Sequence, residues 1–144
     1  MTDLMVKGPE PGGESYDLFQ EEESSIYNSL AKRAQFVVAG LNSIDGITCQ
    51  PAQGAMYCFP RIEGLPARAL EEAKKQSTTP DTLYALSLLK ETGICVVPAS
   101  GFGQKEGRVG FRTTFLPPEE RLYHAIEEFG RHHQLFCDQY ASTH

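Results

Sequence analysis

Residues 94–97 (Ile-Cys-Val-Val) and 108–115 (Arg-Val-Gly-Phe-Arg-Thr-Thr-Phe) are both β-prone, and between them lies only Pro98-Ala99-Ser100-Gly101-Phe102-Gly103-Gln104-Lys105-Glu106-Gly107. A parallel neighbour needs a crossover of roughly a dozen residues, usually a helix. A short connection carrying a proline and three glycines does not supply one. Strand, glycine loop, strand is the pattern, and it points to a mixed or antiparallel sheet covered by helices from elsewhere in the chain.

Those helices are legible. From residue 15 to about 42, Tyr16, Phe19, Ile26, Leu30, Ala34, Val37 and Leu41 recur at threes and fours, with Glu23 interrupting the stripe. Ser15 suits the cap, Asp17 and Glu21-Glu22-Glu23 put negative charge near the positive end of the helix dipole, and Gly40 and Asn42 suit the exit. Two β-prone stretches follow at 47–49 and 54–62, parted by Gln50-Pro51-Ala52-Gln53; the second is apolar on both faces and is expected inside the sheet. Residues 66–76 read as a short helix. Thr79-Pro80-Asp81 starts another, with Leu83, Leu86 and Leu89 as its buried stripe and Gly93 as its stop. Residues 94–97 read as a compact buried strand, and 118–140 as a last helix with Leu122, Ile126, Phe129 and Phe136 at helical spacing. The expected order is α-ββ-αα-β-β-α, an α/β fold of the α+β sandwich kind. Residues 1–14, with Gly8-Pro9-Glu10-Pro11-Gly12-Gly13, form a linker, and 15–144 form the domain.

Composition removes several function classes. The chain has 144 residues, 40% hydrophobic and 22% charged, which suits one globular core. A net charge of -6 argues against a nucleic-acid partner, which requires clustered Lys and Arg. No apolar run nears the ~20 residues that span a bilayer, and no signal-peptide layout opens the chain, so an intracellular protein without a membrane partner is expected. Cys49, Cys58, Cys95 and Cys137 are widely spaced, mostly within apolar segments, and read as buried reduced thiols. His124, His132 and His133 lack the usual zinc spacings, so no metal is expected.

Chemistry concentrates after the glycine loop. Strand alternation puts Val109, Phe111, Thr113 and Phe115 on one face and Arg108, Gly110, Arg112 and Thr114 on the other, so Arg112 stands beside the space that Gly110 leaves empty. A guanidinium on a rigid strand can grip a carboxylate through two parallel hydrogen bonds. From the pattern alone, an arginine on a solvated sheet face is the simpler reading. Gly101-x-Gly103-x-x-x-Gly107 fits neither dinucleotide nor Walker spacing, and Lys105 lacks the apolar neighbours that would make it a nucleophile. No Gly-x-Ser-x-Gly supports a hydrolase.

Over nearly its whole length the chain resembles the alanine aminotransferases. The resemblance is carried by Gly12-Gly13-Glu14-Ser15-Tyr16-Asp17-Leu18-Phe19, Gly54-Ala55-Met56-Tyr57, Gly101-Phe102-Gly103-Gln104-Lys105-Glu106-Gly107 and Phe111-Arg112-Thr113-Thr114. It implies the C-terminal small domain of a fold type I, pyridoxal-phosphate-dependent homodimer. In that family L-alanine and 2-oxoglutarate exchange an amino group to give pyruvate and L-glutamate, and the resemblance implies that Arg112 binds the substrate α-carboxylate. The family's cofactor lysine and most phosphate ligands belong to the preceding large domain, and no lysine here stands in its Ser-x-x-Lys-Gly context. The start, Met1-Thr2-Asp3-Leu4-Met5-Val6, resembles an interior segment of the family. No catalytic or cofactor-binding residue is therefore expected in this chain, which alone should be inactive; the cytoplasm is favoured over the mitochondrion. Two other readings stay open: a non-catalytic α/β carboxylate-binding or interaction module, and a pyridoxal-phosphate-dependent lyase of the same fold.

Overall fold

The computed structural model describes residues 6–105 and 107–141. Residues 1–5 of the expected linker and of the interior-like start, and Glu106 of the glycine-loop motif, lie outside the described residues. The chain divides into two compact units, Met1–Lys32 and Arg33–His144. In the first, residues 7–15 hold no helix or strand, as the prolines and glycines require, and turns and bends fill 11–15, with the Gly13 amide donating to the Glu10 carbonyl at 2.9 Å. Helix α1 (Tyr16–Asn42) begins there, with Asp17 in its first turn. Leu18, Phe19, Ile26 and Tyr27 are exposed, so the expected apolar stripe is buried only further along, at Ala34, Val37 and Leu41.

In the second unit Asn42 ends α1 and ties it to the sheet. Its amide nitrogen donates to the Val38 and Cys49 carbonyls at 2.9 and 2.8 Å, and its oxygen accepts from the Cys49 amide at 2.9 Å. Strands β1 (Ile47–Thr48), β2 (Tyr57–Cys58), β3 (Arg61–Ile62), β4 (Val97–Pro98) and β5 (Val109–Thr114) pair only antiparallel, along β1-β3-β5-β2 with β4 also on β5.

Expected as one internal strand, residues 54–62 contain two short ones. The pairs Tyr57↔Thr114, Cys58↔Thr113, Arg61↔Gly110 and Ile62↔Val109 share one register, so β2 and β3 are two ends of a strand broken at Phe59-Pro60. Pro60 accepts from the Phe111 amide at 3.1 Å but has no N–H to return, which interrupts the ladder there. Of these two, β3 alone lies between neighbours, β1 and β5; Met56, Tyr57 and Phe59 are exposed.

Helices α2 (Ala67–Lys75), α3 (Pro80–Thr92) and α4 (Glu119–Ala141) match the expected segments. Gly93 closes α3 in the left-handed conformation, φ 75°, donating to the Leu89 carbonyl. Of the stripe expected on α3, Leu83 is buried, but Leu86 and Leu89 are 48% and 40% exposed, and Asp81, Tyr84, Ala85 and Leu88 are buried instead. Steps of three drift about 60° around a helix each time, so Leu83, Leu86 and Leu89 cannot share one narrow face, while 81, 84, 85 and 88 can. Of the buried strand expected at 94–97 only Val97 is in a strand, β4, and the segment is less buried than expected. Only Val96 is fully covered, Cys95 and Val97 are exposed, and β4 has β5 as its one partner. Cys49 and Cys58 are buried as expected; Cys137 is half-buried.

The core packs Phe111 of β5 between rings from two helices. Tyr84 lies 6.0 Å and Phe129 5.4 Å away by centroids, both stacked, and Phe136 meets Tyr84 edge-on at 5.0 Å. This stack, worth more than its buried area alone, fixes β5 against α3 and α4. Among the described residues no helix is long and apolar enough to cross a membrane.

Candidate functional site

With Phe111 locked in the core, the next residue of β5 must project to the other face. Arg112 does so, opposite Val97 of β4. Its guanidinium carbon lies 4.5 Å from the Tyr57 ring centroid and 4.8 Å from that of Phe102, so the cation is held between two aromatic faces. Arg112 is half-buried, and its Nε is buried without a hydrogen-bond partner. Aromatic rings hold the plane of a guanidinium but leave its N–H donors unsatisfied, and an unpaired buried donor costs roughly 1–3 kcal/mol. A planar anion that accepts two parallel bonds would remove that cost, and a carboxylate has this shape.

Local structure sets each ring. Tyr57 is on β2 opposite Thr114, whose hydroxyl donates to the neighbouring Met56 carbonyl at 2.8 Å. Phe102 ends a 3-10 turn, Ala99–Phe102, that Gly103 leaves in the left-handed conformation at φ 66°. Phe59 braces Phe102 edge-on, centroids 5.6 Å apart. Tyr57 and Phe102 lie within the sequence motifs, but nothing in their spacing there marks them as flanking Arg112; only the pairing of β2 with β5 and the fold of the loop do.

The space beside Gly110 is not empty. A Cβ there would stand 2.5 Å from the Pro60 carbonyl oxygen and 3.3 Å from the Arg61 Cα, because the two strands approach closely at the proline break. Gly110 therefore admits a neighbouring backbone rather than a ligand. A cleft of about 490 Å³ opens near β3, with Arg61, Arg108, Gln53, Gln104 and the Gly110 backbone on its walls; Tyr57 lines it and Arg112 does not.

Other candidate groups are accounted for differently. All six lysines, Lys7, Lys32, Lys74, Lys75, Lys90 and Lys105, are exposed. His132 and His133 lie in the core: His132 Nε2 is 3.0 Å from the Ser87 hydroxyl, and His133 Nδ1 is 3.2 Å from the Tyr84 hydroxyl. Burial, helped by the charges of His133 and Arg131, holds His132 down at about 4, and burial also lowers His133. These groups serve the packing of α3 against α4.

Residues 14–129 match the family described as aminotransferase class I and II. The chain belongs to the class I and II aminotransferases. A probable mitochondrial alanine aminotransferase of Dictyostelium discoideum is 49% identical over 140 residues, covering 97% of this chain and 26% of that protein. Alanine aminotransferase 1 of Homo sapiens is 45% identical over 141 residues, covering 98% of this chain and 28% of that protein. Among solved structures, an alanine aminotransferase from Pyrococcus furiosus matches with a TM-score of 0.62 at 32% identity, covering 75% of this chain and 24% of that one. The aspartate aminotransferase of Rhizobium meliloti matches at 0.63 and 26%, covering 95% and 30%. The aminotransferase chain thus spans about a quarter of the length of the curated relatives it matches. The family and the α/β fold class read from the sequence are borne out, and the antiparallel sheet with packed helices is shared with fold type I aminotransferases.

Proposed function

We propose that this chain is the C-terminal small domain of an alanine aminotransferase, with residues 1–14 leading into the domain at 15–144, and that Arg112 receives the substrate α-carboxylate. The observation that carries the reading is the Arg112 guanidinium held between Tyr57 and Phe102 with a buried, unpartnered Nε. Identity of 43–49% to alanine aminotransferases supports the substrate pair, L-alanine and 2-oxoglutarate. Both present an α-carboxylate next to the reacting carbon, so one arginine serves both half-reactions. Two parallel bonds fix the position and rotation of the substrate, which is how a binding residue contributes to rate without touching the breaking bond. The enzyme works as a homodimer.

The family cofactor, pyridoxal phosphate, supplies the electron sink for transamination when bound. On this reading no lysine of the chain forms its covalent site. A lysine activated for that chemistry needs a desolvated or cationic surrounding, and each lysine of this chain is exposed. The cofactor is held by segments outside this chain, and the chain alone is inactive. The test is incubation of the purified chain with pyridoxal phosphate, borohydride reduction and mass analysis of the peptides, with an alanine-to-pyruvate assay alongside. No stoichiometric adduct on a single lysine and no turnover are expected. One specific adduct accompanied by turnover would contradict the assignment.

A further inference from the structure

Asp81 is 2% exposed, and among the described residues its hydrogen-bond partners are backbone amides. Burying a carboxylate is costly unless strong donors meet it. Here they are backbone amides: Oδ1 accepts from Thr82 N–H at 3.0 Å, and Oδ2 accepts from Ser100 N–H at 2.5 Å. The first bond is local to the start of α3. The second crosses to the 3-10 turn that ends in Phe102, and the Thr79 hydroxyl joins the same turn, 3.2 Å from the Ser100 hydroxyl. The sequence pattern explains an acid at Asp81 by the helix dipole alone, which accounts neither for its burial nor for the second bond.

We infer that Asp81 is a positioning residue of the Arg112 site, holding the Ala99–Phe102 turn so that the Phe102 ring stays against the guanidinium. The inference rests on reading Arg112 as the carboxylate anchor, and adds a residue that acts on that anchor from the first turn of α3. Phe102 is 41% exposed, so packing alone holds its ring only in part. The charge-assisted bond from Ser100 to Asp81 supplies a fixed point two residues away.

The test reads ring placement directly and needs no substrate. In the full chain labelled with 15N, the Arg112 Nε–H resonance is displaced by the currents of the two flanking rings; Phe102→Leu measures the share that Phe102 contributes. Asp81→Asn keeps size and one acceptor oxygen, and Asp81→Glu keeps the charge but lengthens the arm by a methylene. Both should move the resonance most of the way towards its Phe102→Leu position. Asn42→Ala, which loosens the end of α1 instead, should lower thermal stability and leave the resonance in place. A resonance that responds to Phe102→Leu but stays unmoved in both Asp81 variants would overturn the inference, as would one that Asn42→Ala moves equally. Failure of the carboxylate reading would appear elsewhere, as an unchanged KM for alanine in the Arg112→Ala enzyme, with this resonance pattern intact.

Discussion

Replacing Gly110 by alanine tests the close approach at the proline break. The new Cβ would stand 2.5 Å from the Pro60 carbonyl oxygen, and ordinary contact begins near 3.4 Å, so the strands must part by about 0.9 Å. Neither contact atom belongs to a side chain that could rotate away; the nearest are Pro60 O and Arg61 Cα. Parting them stretches the Phe111-to-Pro60 hydrogen bond from 3.1 Å to beyond bonding distance, a loss of ~1 kcal/mol. Overpacking strain adds roughly 1–3 kcal/mol, and removing a strand glycine returns about 0.5–1 kcal/mol. The net is a destabilisation of about 2 kcal/mol. With a urea slope of about 2 kcal/mol/M, the unfolding midpoint by circular dichroism should fall by about 1 M. Gly40→Ala is the matched control: its Cβ would meet Ile126 at 2.9–3.1 Å, but every contact atom is on one half-buried side chain. Two of those atoms, Cγ1 and Cγ2, are fixed by the stiff χ1 of a helical isoleucine, so relief needs a small shift of helix against helix costing roughly 1 kcal/mol; a helical Gly→Ala change returns about as much, so the midpoint should stay within about 0.5 M of the parent. A Gly110→Ala midpoint equal to the parent, with Gly40→Ala the lower of the two, would refute the argument.

Two further outcomes follow from the buried titratable groups. Because His132 is held at about 4 in the folded chain against an ordinary value near 6.5, the unfolded chain binds more protons between these pH values; stability is full above about 6.5 and declines as pH falls towards 4. The slope in that window, measured by urea unfolding at successive pH values, should flatten in His132→Gln, leaving a smaller part from His133, whose value is also lowered. Among the thiols, exposed Cys95 should be alkylated first by iodoacetamide, while Cys58, pushed up by its hydrogen bond with Cys49 and then by burial, should react only on unfolding; mass mapping of partially labelled chain reads the order.

Much of the fold was legible because its signals are local. Thr79-Pro80 and Gly93 bracket α3, and the Asn42 exit and the start of the last helix fall where caps and periodicity put them. The misread parts depend on tertiary partners. Leu86 and Leu89 look as buriable as Leu88, and only the helix rotation set by Tyr84 and Asp81 separates them. Pro60 was visible, but the break it makes shows only once Phe111 is seen donating to it. Arg112 could be named from alternation and motif, whereas its two flanking rings come from β2 and from the loop turn, which no spacing rule connects. Asp81 fitted a helix-start rule so well that its bond to Ser100 left no separate trace in the sequence.

The most direct test of the account compares substrates with and without the carboxylate in the whole enzyme that carries this chain. Arg112→Ala should lower kcat/KM for alanine by a factor on the order of 10²–10³, as loss of a desolvated charge pair costs roughly 2–5 kcal/mol. With ethylamine, which lacks the carboxylate, parent and variant should be equally slow, and the thermal midpoint should change little. Equal losses for alanine and ethylamine, or an unchanged kcat/KM for alanine in a folded variant, would contradict the claim that Arg112 is the carboxylate anchor.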